Sequence, residues 1–242
     1  MYKIYPIKIA QSVNPEPSVF YLGDCSKTVE MFTYIYLIKS DGKIILVDTG
    51  FGIEEIMKMN PGMKQAEGED TLSQLSARGI KPEEITDIIL THVHWDHFSP
   101  VIGKFTNAVI YVQEKDVRYV LDPPHPWFAK FVFVETVKKL TTSFKSRVHF
   151  LNGDEEILPG ISVFLAGGHS PGSQAVKVKT QAGNVIIAGD VVFHYRNIDE
   201  NIPIGFNCNL EECFSAMKRI REEADIVLPG HDPLVLEKYK EI

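Results

Sequence analysis

Apolar and polar positions divide this chain into short elements. Residues 2–10 and 17–23 read as two strands separated by a turn rich in Asn, Pro and Ser. Met31 to Lys39 continues as a strand, Asp41-Gly42 marks a hairpin turn, and Lys43 to Gly50 returns as an apolar run buried on both faces. Thr71 to Arg78 reads as a helix closed by Gly79, and residues 82–91 end in a β-branched run of strand length. A strand from Asn107 to Val112 and helices from Glu114 to Leu121 and Glu135 to Leu140 follow. The second half predicts strands at Arg147 to Leu151, Ile161 to Leu165, Gln174 to Lys179, Val185 to Ala188 and Asp225 to Leu228. It also predicts a helix from Leu210 to Ala224, with Asn209 as its N-cap, and a short terminal helix. Two similar blocks of strands followed by a helix, with no long linker, predict two sheets packed face to face with helices outside, as one domain over residues 1–242.

Two stretches interrupt this rhythm. Residues 51–70 hold Met57, Met59 and Met63 beside a Pro-Gly break, a composition that packs a loop onto the body or lines an adaptable apolar pocket. Asp122-Pro-Pro-His-Pro-Trp-Phe128 lacks regular structure by its prolines and, within residues 122–134, forms a second apolar insertion able to act as a lid.

Composition narrows the class. With 44% hydrophobic and 24% charged residues over 242 positions, the chain can build a substantial core. Its formal net charge of −7 and lack of a Lys/Arg block argue against nucleic-acid partners. Apolar runs of only strand length and a start without signal-peptide character argue against membranes and predict a cytoplasmic protein. Three cysteines, Cys25, Cys208 and Cys213, do not suggest a disulfide framework.

The chemistry concentrates at Thr91-His92-Val93-His94-Trp95-Asp96-His97, where a buried strand ends. Residues i and i+2 of an extended segment share a face, so His92 and His94 aim two imidazoles at one point. Asp96 and His97 face a second point, where Asp96 can also cap a short helix. Downstream, Gly168-His169, Gly189-Asp190 and Gly230-His231 each place a candidate ligand behind a glycine at a strand exit. His92, His94 and His169 would hold one divalent ion and Asp96, His97 and His231 a second, with Asp190 bridging. Asp48, at another strand exit, reads as a turn cap or an anchor for ligands. His125 reads as a loop residue and His149 as structural.

The His-x-His-x-Asp-His run, Val47-Asp48-Thr49-Gly50, Gly168-His169-Ser-Pro-Gly-Ser173, Gly189-Asp190 and Pro229-Gly230-His231 together resemble the metallo-β-lactamase superfamily across essentially the whole chain. Within it, the sequence most resembles the N-acyl homoserine lactonase-like branch. The di-iron flavoproteins of this superfamily replace the second His of the run by Glu, and glyoxalase II-like thioesterases carry a helical region after the last ligand, where only 11 residues follow His231 here.

The resemblance implies an αββα sandwich, an α/β (α+β) fold with metals at one edge. It implies two divalent ions, zinc first, with iron, manganese or cobalt also suited to these ligands. The implied reaction is hydrolysis of a small lactone or related ester by hydroxide formed between the ions, with Asp96 carrying a proton to the leaving alkoxide. Thioesterase, amide or phosphoester hydrolase, iron-dependent sulfur dioxygenase and non-catalytic metal binding are the alternatives. Related lactonases are often homodimers. They commonly carry a tyrosine three residues after the bridging aspartate, where this chain has Phe193. Tyr195, on the same face if the segment stays extended, is the expected replacement donor, with His194 beside it.

Overall fold

In the computed structural model all residues are described except Asp41 and Pro61, with the backbone alone at Ile56, Met57 and Lys58. The expected Asp41-Gly42 turn and Pro61-Gly62 break thus each lose one residue from the description, as does the Met57 side chain. Among the described residues, eleven strands form two sheets. The first contains, in spatial order, β1 (Lys3–Pro15), β2 (Thr28–Ser40), β3 (Lys43–Val47), β4 (Asp87–Ile89), β5 (Val109–Gln113) and β6 (Val148–Leu151). The second contains β7 (Glu155–Leu158), β8 (Ile161–Leu165), β9 (Gln174–Thr180), β10 (Gly183–Gly189) and β11 (Ile226–Pro229). Helices α1 (Glu16–Val19), α2 (Ile53–Met59), α3 (Thr71–Ser76), α4 (Glu114–Leu121), α5 (Val134–Thr141), α6 (Tyr195–Asp199), α7 (Leu210–Glu223) and α8 (Leu234–Lys238) connect or flank them.

The strand period explains the layers. On β2 and β3, Tyr34, Tyr36, Ile38, Ile45 and Val47 face the second sheet and pack on Val163, Val176, Val185, Ile187 and Leu228. The alternate residues Ile35, Leu37 and Leu46 point outward into a second core with Leu75 of α3, Val117 of α4 and Leu140 of α5. Both faces are therefore covered, which is why these strands read as continuous apolar runs. On the far side, Ile186 and Ala188 of β10 meet Ala216, Met217 and Ile220 of α7. The result is the expected αββα sandwich. β3 to β6 and the β10/β11 pair run parallel and need crossovers, which places the loops after β3, β4, β10 and β11 at one edge.

Two local expectations fail and one strand goes unpredicted. Residues 17–23 form no strand: β1 runs on to Pro15, paired with Thr28, and the chain then coils into α1 with Pro17 in its first turn. β1 lies at a sheet edge, where Pro15 removes no ladder bond, and a proline in a first helical turn loses no needed N–H. β7 escapes the apolar pattern because its Glu155-Glu156 start is exposed at the edge of its sheet. The stretch after Asp122 is not wholly irregular, since Pro126–Phe131 form a 3₁₀ helix with the His125 side chain accepting from Trp127 N–H at its start.

Candidate metal centre

The seven candidate ligands converge where β4, β8, β10 and β11 end. Gln174 at the start of β9 fastens the two sheets there: its N–H donates to Thr91 C=O at 2.9 Å and its side-chain amide to Leu90 C=O at 2.7 Å. Beyond that clamp the chain leaves the sheet and His92 to His97 fold over the edge. One donor atom each from His92, His94 and His169 lies within 4.8 Å of the others, and the same holds for Asp96, His97, Asp190 and His231. Two glycines let the backbone come this close. Gly189 holds φ +54 against Thr91, and a Cβ on Gly230 would stand 3.0 Å from Asp190 Oδ1.

Asp190 stands between the two sets. Its Oδ2 is 3.7 Å from His92 Nε2 and 3.2 Å from His169 Nε2, while its Oδ1 is 3.0 Å from Nε2 of both His97 and His231. His94 Nδ1 faces His169 Nε2 at 2.8 Å. The opposite ring nitrogens are held from behind. His169 Nδ1 and His231 Nδ1 each lie 2.8 Å from a backbone carbonyl, of Phe206 and Phe32, and His97 Nδ1 lies 2.7 Å from Asp48 Oδ2. An Nδ1 that donates outward leaves the Nε2 lone pair aimed inward, the tautomer a metal ligand needs. Asp48 is therefore an anchor: it adopts φ +62 and accepts Thr91 N–H and Oγ at 2.7 and 2.8 Å.

Burial makes the charge pattern severe. Desolvation holds the His92 and His94 imidazoles well below the usual histidine range, with neighbouring imidazoles adding to it. At His97 burial acts the same way, but Asp190, Asp96 and Asp48 outweigh it and raise the pKa well above normal. Burial would raise the Asp190 carboxyl, yet the surrounding imidazoles hold it well below the usual carboxylate range. His92 Nε2, His97 Nε2 and Asp190 Oδ1 are all buried and form no hydrogen bond, although Nε2 of His97 and His231 each stand 3.0 Å from Asp190 Oδ1. Each unsatisfied group costs about 1–3 kcal/mol or more. Two divalent cations would satisfy these atoms together, so the donor set fits a dinuclear metal cofactor.

The Metallo-beta-lactamase superfamily profile matches residues 28–231. The chain belongs to this superfamily. An N-acyl homoserine lactonase from Bacillus thuringiensis is 27% identical over 95% of this chain and 93% of its own length. A Bacillus cereus N-acyl homoserine lactonase is 28% identical over 82% of this chain and 80% of its own. The crystal structure of a quorum-quenching N-acyl homoserine lactone lactonase superposes with a TM-score of 0.80 at 25% identity, covering 98% of this chain and 95% of that one.

Other expectations for this superfamily member fare differently. The segment after Phe193 does not stay extended: His194 is the N-cap of α6 and Tyr195 its first residue. Phe193 presents its ring to His169 and His231 at centroid distances of 5.6 and 5.1 Å. Tyr195 is carried away into the layer between the sheets, with Lys238 Nζ 3.6 Å from its ring centre. His194 packs edge-on against Phe20, and burial lowers its pKa to about 4. Neither lines the cavity over the ligands, so the extended geometry that would make Tyr195 an oxyanion donor is absent. Asp96 does line that cavity, but caps no helix; Ser99 caps the following 3₁₀ turn. His149 pairs with Glu155 on the surface.

Sequence reading missed two features. Asp116, in the first turn of α4, accepts Val93 N–H at 2.9 Å, Ser170 Oγ–H at 2.6 Å and Gly172 N–H at 3.1 Å, binding the two loops that carry the first ligand set. An acid in a helical first turn is too ordinary to stand out. The cavity's polar wall comes from Ser12, Asn14 and Thr33 on β1 and β2, with Asn60 and Met63 from the 51–70 insertion. The insertion is pinned to β1 through paired Gln11–Lys64 backbone bonds of 2.8 Å.

Proposed function

We propose that this protein is a metal-dependent hydrolase that opens a lactone ring, an N-acyl homoserine lactone or a similar cyclic ester. The reading is carried by the Asp190 carboxylate, whose oxygens lie 3.2 Å from His169 Nε2 and 3.0 Å from Nε2 of His97 and His231, between two groups of candidate ligands that border one cavity. The similarity to N-acyl homoserine lactonases over nearly the whole chain supports the substrate class.

His92, His94 and His169 would hold one divalent ion, Asp96, His97 and His231 the other, and Asp190 both. Zinc is our first assignment from the histidine and carboxylate donors. Two such ions supply a water of lowered pKa and polarise the ester carbonyl. The chain's own groups do the rest. Asp96, partly accessible from the cavity, carries the proton towards the departing alkoxide. With Phe193 unable to donate and Tyr195 turned away, the Ser12 and Thr33 hydroxyls and the Asn14 amide orient the substrate's amide or carbonyl from the opposite wall. Asn14 is itself placed by a 2.8 Å bond to Ser12 Oγ.

No helix among the described residues is long and apolar enough to cross a membrane. We also propose a cytoplasmic homodimer, its oligomeric state to be read by light scattering. The deciding experiment is a pH-stat screen of lactones, esters, thioesters and amides on protein of measured metal content. Two ions per chain with acid release from lactones is the expected result; a single iron with oxygen uptake would sink the reading.

A further inference from the structure

His231 leaves β11 at the edge of the second sheet, where this short strand pairs with β10 alone. The ladder is irregular just before its last pair, Gly189 with Pro229. A frayed strand end of this kind does not by itself hold a side chain to the roughly 0.5 Å that a working site asks. The remaining hold comes from the opposite sheet. Phe32, Tyr34 and Tyr36 alternate along one face of β2, and their rings form a row with centroids 6.2 and 5.9 Å apart.

Each of the three bonds to the turn that carries His231. Tyr36 Oη donates to Pro229 C=O at 2.8 Å and Tyr34 Oη to Asp232 C=O at 2.9 Å. Phe32 N–H donates to His231 C=O at 2.9 Å, and Phe32 C=O faces His231 Nδ1 at 2.8 Å. On the other side, Gly230 and His231 N–H donate to the Val192 and Phe193 carbonyls at 2.8 and 2.9 Å. The turn's amides are thus held from the loop after Asp190 and its carbonyls from β2.

The two tyrosines are buried among Ile38, Ile45, Val47 and Leu228. For packing there, phenylalanine would serve, and a buried hydroxyl is costly unless it finds a partner. Both hydroxyls find one in the turn, whereas Tyr195 in the same layer leaves its own unpartnered. The hydroxyls are therefore the part of Tyr34 and Tyr36 that the core does not require.

We propose that Tyr34 and Tyr36 are positioning residues of the second metal position. Through the Asp232 and Pro229 carbonyls they set the turn that aims His231 Nε2 at Asp190 Oδ1, 3.0 Å away, before any ion arrives. The inference rests on the assignment of His231 to that position. Both sheets then build the second position, and its third histidine-bearing loop is in place in the metal-free protein.

Amide hydrogen exchange on the unaltered protein is the first test. After chelation of the metal, the Phe32 and His231 N–H groups should exchange within about tenfold of their metal-loaded rates, because β2 and not the ion holds the turn. A larger acceleration overturns the proposal.

The second test uses the Tyr34→Phe/Tyr36→Phe double variant, which keeps both rings. In its metal-free form, exchange at Phe32 and His231 should quicken by at least about tenfold, while Gln174, whose N–H is bonded to Thr91 C=O, keeps its rate. Cobalt titration should show the second position weakened by about 10-fold and the first unchanged. A role in packing alone predicts uniformly faster exchange and equal weakening of both positions; that result, or no change in either measurement, overturns the proposal. His231→Ala should remove the second cobalt step. If both steps survive, His231 is not a ligand, while exchange at Phe32 in the tyrosine variant still decides whether the hydroxyls set the turn.

Discussion

Two regions of this molecule bury polar side-chain atoms that have no hydrogen-bond partner among the described residues, and they differ in arrangement. At the metal centre, His92 Nε2, His97 Nε2 and Asp190 Oδ1 face one another across a few ångströms, each backed by a group that fixes its orientation. At the start of α6, His194 Nε2 and Tyr195 Oη are also orphaned, but they sit on separate faces, one against Phe20 and the other between the sheets. Convergent unpartnered donors form a set that cations can satisfy together. Scattered ones describe only a cost of packing. Substitution should therefore act in opposite directions in the two regions.

The largest effect belongs to Asp190, which touches both ligand sets. Asp190→Ala should lower kcat/KM by at least about 10³, because several kcal/mol of electrostatic stabilisation would depend on the ions this carboxylate is proposed to hold. Plasma emission spectroscopy should find less than the full metal content. A variant with both ions and near-normal turnover would break the assignment of Asp190 as the shared ligand.

Asp48 and Asp116 separate the two metal positions. Asp48 touches His97 directly at 2.7 Å, so Asp48→Asn should weaken the second position by about 10- to 100-fold, the usual penalty for losing an outer partner of a ligand. Asp116 touches no candidate ligand directly and acts instead through two backbone N–H groups and one hydroxyl of the loops that carry them. It grips Val93 between His92 and His94, and Ser170 and Gly172 after His169. Asp116→Asn should weaken the first position by about 10-fold and leave the second unchanged. Titration with cobalt, followed by its visible absorption bands, can resolve the two steps. Equal weakening of both positions by either substitution would show that the two sets bind as one unit.

These residues also show what a sequence can and cannot reveal. His92, His94, Asp96 and His97 are close in the chain, and their spacing alone places them together. His169, Asp190 and His231 are legible because each follows a glycine at the end of an apolar strand. The two-sheet sandwich follows from runs such as Lys43 to Val47, whose burial on both faces requires cover on both sides. Asp116 is hidden because its role depends on where α4 docks, a tertiary fact with no local signature. Tyr195 shows the opposite case: an oxyanion role needs an extended backbone after Phe193, and Asn197 overrides that. The Asn197 side chain accepts His194 N–H at 2.8 Å and donates to Val19 and Ile202 carbonyls, fastening the turn that starts α6.

Tyr195→Phe gives the smallest effect and the cleanest contrast with the centre. If Tyr195 served catalysis, removing its hydroxyl could cost on the order of 10² to 10³ in rate, as loss of one oxyanion donor does. Its placement predicts kcat within about twofold of the starting protein, far below that range. The hydroxyl is buried with no partner, and burial also raises its pKa, so the fold carries a desolvation penalty that phenylalanine avoids. Recovering about 1 kcal/mol of that penalty should raise Tm by roughly 2–4 °C in a chain of this size. The same operation at the centre, deleting one orphaned polar group at Asp190, removes activity and metal together. Calorimetry beside a kinetic assay therefore distinguishes the two kinds of orphan: a lower Tm with impaired turnover in Tyr195→Phe would mean that its hydroxyl has a partner in the working enzyme.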